Sequence, residues 1–240
     1  TGTVIPADNP PSIASTVIAA DAGHFSVGKY SGASGAQTVG HGLGGEPDML
    51  LVKLDGTQSW RVFHTDLGNT RILSLNLSNT GTSSSIYWNN DGPTSTTFSI
   101  GTDASVNGAG NEYLFYAFRS IPGVCKTGLY QVNNTTDNGP YVSLGFKPRW
   151  ILFKGTDITS QWTIYDAVRE PFNVGDHIFS YSSLDAAEAS FAQNDIDMLS
   201  DGFKIRVDIN NEPNNGTGKY LYLAMADIGG NGTLPPIYGR

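Results

Sequence analysis

Apolar and polar side chains alternate along short segments of the chain, and turn residues separate these segments. In the first half the segments are Met49–Lys53, Trp60–Phe63, Arg71–Leu75, Thr97–Ile100 and Tyr113–Phe118. In the second half they are Trp150–Lys154, Trp162–Tyr165, Ile178–Tyr181, Phe203–Val207 and Tyr220–Met225. A period of two is that of a β-strand with one buried face, and pairs such as Asp55-Gly56 suit tight hairpin turns. The pattern therefore predicts an all-β protein.

One segment departs from this period and predicts a helix. Residues Leu184–Phe191 include the run Ala186-Ala187-Glu188-Ala189, and Ser182 with Asp185 has the spacing of a capping box. We expect a helix of one or two turns, added to a loop of the second half.

The second half of the chain repeats the first. Gly28-Lys29-Tyr30 corresponds to Gly128-Leu129-Tyr130, and the offset of 100 residues grows to 107 where Tyr113 corresponds to Tyr220. Loop insertions within a duplicated unit produce such growth, and a repeat of this length is the size of a domain. We predict two tandem, homologous β-sandwich domains of jelly-roll type.

The domain boundaries follow from the extent of the repeat. Residues 24–121 and 122–228 are the predicted domains, because Pro122-Gly123 separates the two copies. Residues 1–23 are predicted to be an extended N-terminal arm that lies on a neighbouring subunit or on the first repeat. Residues 229–240 are predicted to be an extended C-terminal tail.

Composition restricts the partners. The chain has 14 Lys and Arg against 22 Asp and Glu, a net charge of −8, which argues against nucleic acid and anionic membranes. No apolar run is long enough for membrane insertion. The single cysteine, Cys125, excludes an internal disulfide.

Enzyme motifs are scarce. There is no recognisable nucleophile elbow, phosphate loop or Cys/His metal set, so we predict a non-enzymatic protein without a cofactor and assign no metal ligands. The histidines are scattered and are expected at surfaces or turns: His24, His41, His64 and His177.

The first candidate for ligand binding is the sequence Trp88-Asn89-Asn90-Asp91. An aromatic plate beside amide and carboxylate groups is the composition of a sugar site. The same composition fits a Trp that closes the end of a sandwich while Asn and Asp form the turn.

The second candidate is the pair Asp195 and Asp197, which flank Ile196 and would project from the same face of a strand. Two neighbouring carboxylates could share a cation or act as an acid/base pair in glycan cleavage. The alternative is an exposed acidic strand face.

The anchors of both repeats resemble a known family. The most specific segments are Trp88–Gly101, Pro148–Lys154, Trp162–Asp166 and Asp201–Lys204. They resemble a repeated β-rich domain of unknown function in tail-fibre and other structural proteins of marine phages, especially cyanophages. The resemblance covers residues 24–228 and carries no catalytic residues.

The resemblance implies a structural or adhesion protein at the virion surface, such as a tail fibre, spike or head decoration. It implies assembly as a homo-oligomer, with a trimer preferred, together with other virion proteins, and contact with host glycans. The alternatives are a carbohydrate-binding module, secreted or at a cell surface, and a glycan depolymerase that uses Asp195 and Asp197.

Overall fold

The computed structural model describes the chain except residues 1, 9–10, 134, 136–137, 170–172, 174–177, 185–186, 191–195, 207–212 and 228–240; of residues 189–190 it describes the backbone alone. The described residues form an all-β structure with several sheets, as the alternating pattern predicts. The chain divides into two compact units. Unit 1 comprises Thr1–Leu75 and Gly81–Ser120, and unit 2 comprises Asn76–Thr80 and Ile121–Arg240.

Unit 1 contains ten strands among its described residues. These are β1 (Thr3–Ile5), β2 (Ser15–Ala19), β3 (Phe25–Ser31), β4 (Gln37–Gly40), β5 (Met49–Leu54), β6 (Arg61–His64), β7 (Arg71–Ser74), β8 (Thr82–Ser83), β9 (Thr97–Ile100) and β10 (Glu112–Phe118). The helical segments are a 3-10 turn (Thr65–Leu67), α1 (Ser85–Trp88) and α2 (Ala104–Asn107). The main antiparallel sheet has the order β1-β2-β3-β10-β5-β6-β7-β8, and β4 pairs with β9 in a second sheet.

Unit 2 contains nine strands among its described residues. These are β11 (Cys125–Gln131), β12 (Tyr141–Ser143), β13 (Pro148–Gly155), β14 (Thr163–Asp166), β15 (Ile178–Tyr181), β16 (Ala189–Ser190), β17 (Ile196–Leu199), β18 (Gly202–Ile205) and β19 (Lys219–Ala226). The main sheet has the order β11-β19-β13-β14-β15-β16, and a smaller sheet has the order β12-β18-β17.

The two units share a strand order. In unit 1 the order β3-β10-β5-β6-β7-β8 matches β11-β19-β13-β14-β15-β16 of unit 2, strand for strand. The cores match as well. Tyr30 and Tyr113 stack at 5.1 Å between ring centroids in unit 1, and Tyr130 and Tyr220 stack at 5.7 Å in unit 2. Both pairs are buried, so the repeated tyrosines are core residues.

Each core lies between the inner face of a main sheet and the smaller sheet of the same unit. In unit 1, Phe98 of β9 contacts Phe115 of β10 edge to face at 5.1 Å. In unit 2, Phe203 of β18 contacts Tyr222 of β19 in the same way at 5.5 Å. Two layers around one aromatic core are consistent with a β-sandwich.

The chain start takes one of its two expected positions, on the first repeat, and one loop differs from expectation. Residues 1–23, predicted to be an arm, supply β1 and β2 to the main sheet of unit 1, where β2 pairs with β3. The helix predicted over Leu184–Phe191 is wrong in its described part. Ala189–Ser190 form a strand there, because their backbone pairs with β15. The predicted tail, 229–240, lies outside the described residues.

Candidate functional site

The Trp88 side chain lies in the core of unit 1, not on the surface. It is 1% exposed and meets Phe63 edge to face at 5.6 Å between ring centroids. It belongs to the same buried cluster as Ile72 and Val106. The expectation of a sugar plate at Trp88 is therefore wrong, because a fully buried ring offers no face to a pyranose.

The polar residues after Trp88 form the turn that ends α1. Ser84 caps the start of this helix, and its Oγ accepts a bond from the Ile86 amide. Asn89 and Asn90 both adopt left-handed φ angles of 54° and 58°, which asparagine tolerates better than most residues.

The side chains of this turn also bond to one another. The Asn89 Nδ2 donates to Asp91 Oδ2 at 2.8 Å, and both residues are exposed. The alternative reading of Trp88–Asp91 describes this segment: the ring closes the sandwich while Asn and Asp form the turn.

The carboxylate of Asp197 is held by an ion pair. It lies on β17, is 7% exposed, and accepts a bond from Arg206 Nε at 2.7 Å. Asp195, its predicted partner, lies outside the described residues. The acidic pair stays a prediction, and Asp197 has a structural partner in the described part of the chain.

Two histidines are buried in structural positions. His41 Nε2 lies 3.1 Å from the Thr94 carbonyl, and His41 Nδ1 accepts a bond from the Leu43 amide. His64 Nδ1 accepts from the Asp66 amide and caps the 3-10 turn. Both are at most 1% exposed, so the expected surface position is wrong for them, whereas the expected turn position is correct for His64, which begins the 3-10 turn. His177 lies outside the described residues.

These two histidines should make the stability depend on pH. Burial lowers the pKa of His41 and of His64. The negative charges of Asp66 and Asp48 raise the pKa of His64, but the effect of burial is larger. The unfolded chain, with histidine pKa values near ~6.5, then binds more protons below that pH than the folded chain does. We expect the urea midpoint to fall as pH decreases from 7.5 to 5.5, a window above the titration of carboxylates. A urea midpoint that stays unchanged across this window would contradict the lowered pKa values of His41 and His64.

A cleft of about 260 Å³ opens on unit 1. It is lined by Val4, Ala14, Ser15, Thr16, Lys29, Tyr30, Ser31 and Glu112. Ser31 Oγ donates to the Glu112 carboxylate, and both charged residues of the cleft are exposed.

Among the described residues, no group of three or more His, Cys, Asp or Glu side chains could hold a metal ion. Within the same part of the chain, no helix has the length and apolar character needed to cross a membrane.

The comparisons with known proteins identify the family. A family model described as "Domain of unknown function (DUF7483)" matches residues 2–228, through both units and including the segment predicted to be an arm. No curated protein matches the chain, and no solved structure matches it. Since the match covers nearly the whole sequence, the chain belongs to the DUF7483 family.

Proposed function

We propose that this chain is a non-enzymatic structural and adhesion protein of a virus particle, built from two tandem, homologous β-sandwich domains of jelly-roll type. The shared strand order of units 1 and 2 supports the duplication. The resemblance of the repeats to domains of phage structural proteins supports the place on a virion surface. The proposed partners are copies of the same chain, other virion proteins and host glycans.

One observation carries the assembly part of this proposal: an apolar face of the main sheet of unit 1 is exposed. Val4 is 65% exposed, Ile18 60% and Leu114 41%. These residues lie on the outer face, opposite the side that holds the core residues Val17 and Phe115.

Strand pairing joins the centre of this face into one apolar row, because Ile18 lies opposite Val27, which lies opposite Tyr116. Val4 and Leu114 flank this row, with Thr16 opposite Val4 and Lys29 opposite Leu114. We call the five residues Val4, Ile18, Val27, Leu114 and Tyr116 the outer apolar face. Contiguous apolar patches of this kind mark protein–protein contacts. We assign this one to contact with a second copy of the chain.

Charged substitutions on the outer apolar face should abolish self-association. In Ile18→Glu and Val4→Glu, a buried carboxylate would oppose the contact, because Val27 and Thr16 lie opposite these positions and desolvating an unpaired charge is costly. Light scattering after gel filtration should show a multiple of 25.6 kDa for the unmodified chain, three times that mass for the preferred trimer, and 25.6 kDa for the variants.

The matched control is Val168→Glu, a surface valine of unit 2 that is 56% exposed. This variant should assemble as the unmodified chain does. A monomeric mass for the unmodified chain at all concentrations would refute the assembly proposal. Normal assembly of both Glu variants would show that another surface makes the contact.

A further inference from the structure

An exposed aromatic ring lies in unit 2. Tyr141 is 48% exposed, more than any other aromatic side chain among the described residues. Tyr141 begins β12, an edge strand of the smaller sheet. The next residue, Val142, packs against the core of the unit and fixes the strand that carries the ring.

Hydrogen bonds hold this ring in one orientation. Tyr141 Oη donates to Asp201 Oδ2 at 2.8 Å, and Ser143 Oγ donates to the same oxygen at 3.0 Å. The bond to Asp201 raises the pKa of Tyr141 above its usual value, so the hydroxyl remains a donor at neutral pH. A ring fixed in advance loses little conformational entropy when a ligand stacks on it.

Donors and acceptors surround the ring. Lys204 lies directly opposite Tyr141 in the strand register. Its Nζ donates to Asn138 Oδ1 and to the Gly139 carbonyl, both at 2.7 Å, and an ammonium group has a third proton to donate. The Asp201 carboxylate is exposed and has lone pairs beyond the two bonds that it accepts from Tyr141 and Ser143.

We propose that this surface, defined by Asn138, Tyr141, Ser143, Asp201 and Lys204, binds a hexopyranose unit of a glycan. A pyranose has an apolar C–H face that stacks on an aromatic ring, and hydroxyl groups that both donate and accept hydrogen bonds. Tyr141 supplies the ring, Asp201 accepts from a hydroxyl, and Lys204 donates to one. The inference rests on the glycan contact of the proposed function and gives it a location in unit 2.

The test is a titration of the full chain with the methyl glycosides of glucose, galactose, mannose and glucuronic acid at millimolar concentrations, followed by NMR. We expect at least one glycoside to bind, with its ring C–H signals shifted upfield by the tyrosine ring current. Tyr141→Ala should weaken that binding about tenfold or more, a typical loss for a central aromatic anchor. Tyr141→Phe keeps the ring but loses the bond to Asp201, and should weaken binding less.

Val168→Ala, a change at an exposed position outside β12, should bind as the unmodified chain does. The proposal is overturned if none of the four glycosides binds, or if Tyr141→Ala binds with unchanged affinity. The upfield shift in the unmodified chain tests the stacking independently of any effect of a variant on folding.

The two proposals fail separately. Tyr141→Ala should still assemble in light scattering, and Ile18→Glu should still bind the glycoside. Loss of glycan binding with intact assembly would remove only the sugar site. A monomeric chain that binds the sugar would remove only the assembly proposal.

Discussion

Replacing Trp88 with alanine should lower the free energy of unfolding by about 3–5 kcal/mol, the usual cost of removing a large aromatic side chain from a core. The ring is 1% exposed and is packed against Phe63 within the apolar cluster of unit 1. Its removal leaves a cavity that the surrounding sheet can close only in part. Urea denaturation followed by far-UV circular dichroism measures the loss.

The conservative change Trp88→Phe should cost less than half as much, because a ring still fills most of the site. It also removes the indole N–H, which is buried without a hydrogen-bond partner in the described residues. Asn89→Ala, at the exposed turn, is the matched control. It should lower the free energy of unfolding far less than Trp88→Ala does. An unfolding midpoint unchanged in Trp88→Ala would contradict a core position and would restore the sugar-plate interpretation.

Lys154→Met should lower the free energy of unfolding of the chain by about 2–4 kcal/mol. The Lys154 side chain is fully buried, and its Nζ donates to the carbonyls of Ser78, Gly155 and Ser160 at 2.9–3.2 Å. Ser78 lies in Asn76–Thr80, the segment that belongs to unit 2 although it precedes β8 in the sequence. Methionine fills a similar volume but leaves these carbonyls without the ammonium donor.

A competing effect has the opposite sign, because methionine also removes the cost of burying a charge. Net stabilisation is observed where both partners of a buried pair are replaced, whereas here the carbonyl oxygens remain. Lys53→Met is the matched control: Lys53 lies one residue before the end of the equivalent strand β5, is half-buried, and donates to the Leu54 and Gly56 carbonyls. It should cost less than about 1 kcal/mol. Equal losses in the two variants would show that the burial of Lys154 contributes nothing.

The sequence predicts strands with a regular alternation of apolar and polar residues well, because burial of one face imposes a period of two. Thr97–Ile100 and Ile178–Tyr181 are predicted with their observed bounds, and Tyr113–Phe118 lacks only the first residue of β10. Comparison of the two repeats also identifies core residues, because Tyr113 and Tyr220 occupy the same position in the repeat and both are buried.

Strands that contain glycine, or that are very short, show no clear alternation of apolar and polar residues and are not predicted. Gly28 lies in the middle of β3, where a Cβ would come within 2.5 Å of the Phe115 ring, so the glycine is required by the ring rather than by a turn. β12 has three residues, too few to establish a period. The sequence therefore gives no sign that Tyr141 stands on an edge strand beside Asp201.

The Trp88 segment shows where composition alone fails. Tryptophan beside Asn and Asp fits both a sugar site and a buried ring followed by a turn, and only the direction of the side chain separates the two. That direction is set by the helix α1, which Ser84 begins and Asn89 ends. A turn of four residues carries too little periodicity to be predicted, so the inward position of Trp88 depends on tertiary packing.

The most direct test of the proposed function is the composition of the particle itself. Virus particles purified by density gradient from cultures that carry this gene should be analysed by quantitative mass spectrometry. We predict that the chain co-purifies with the particles in many copies, in a fixed ratio to the major structural proteins. Recovery of the chain only in the soluble fraction, with none on the particles, would contradict the proposed role as a structural protein of the virus particle.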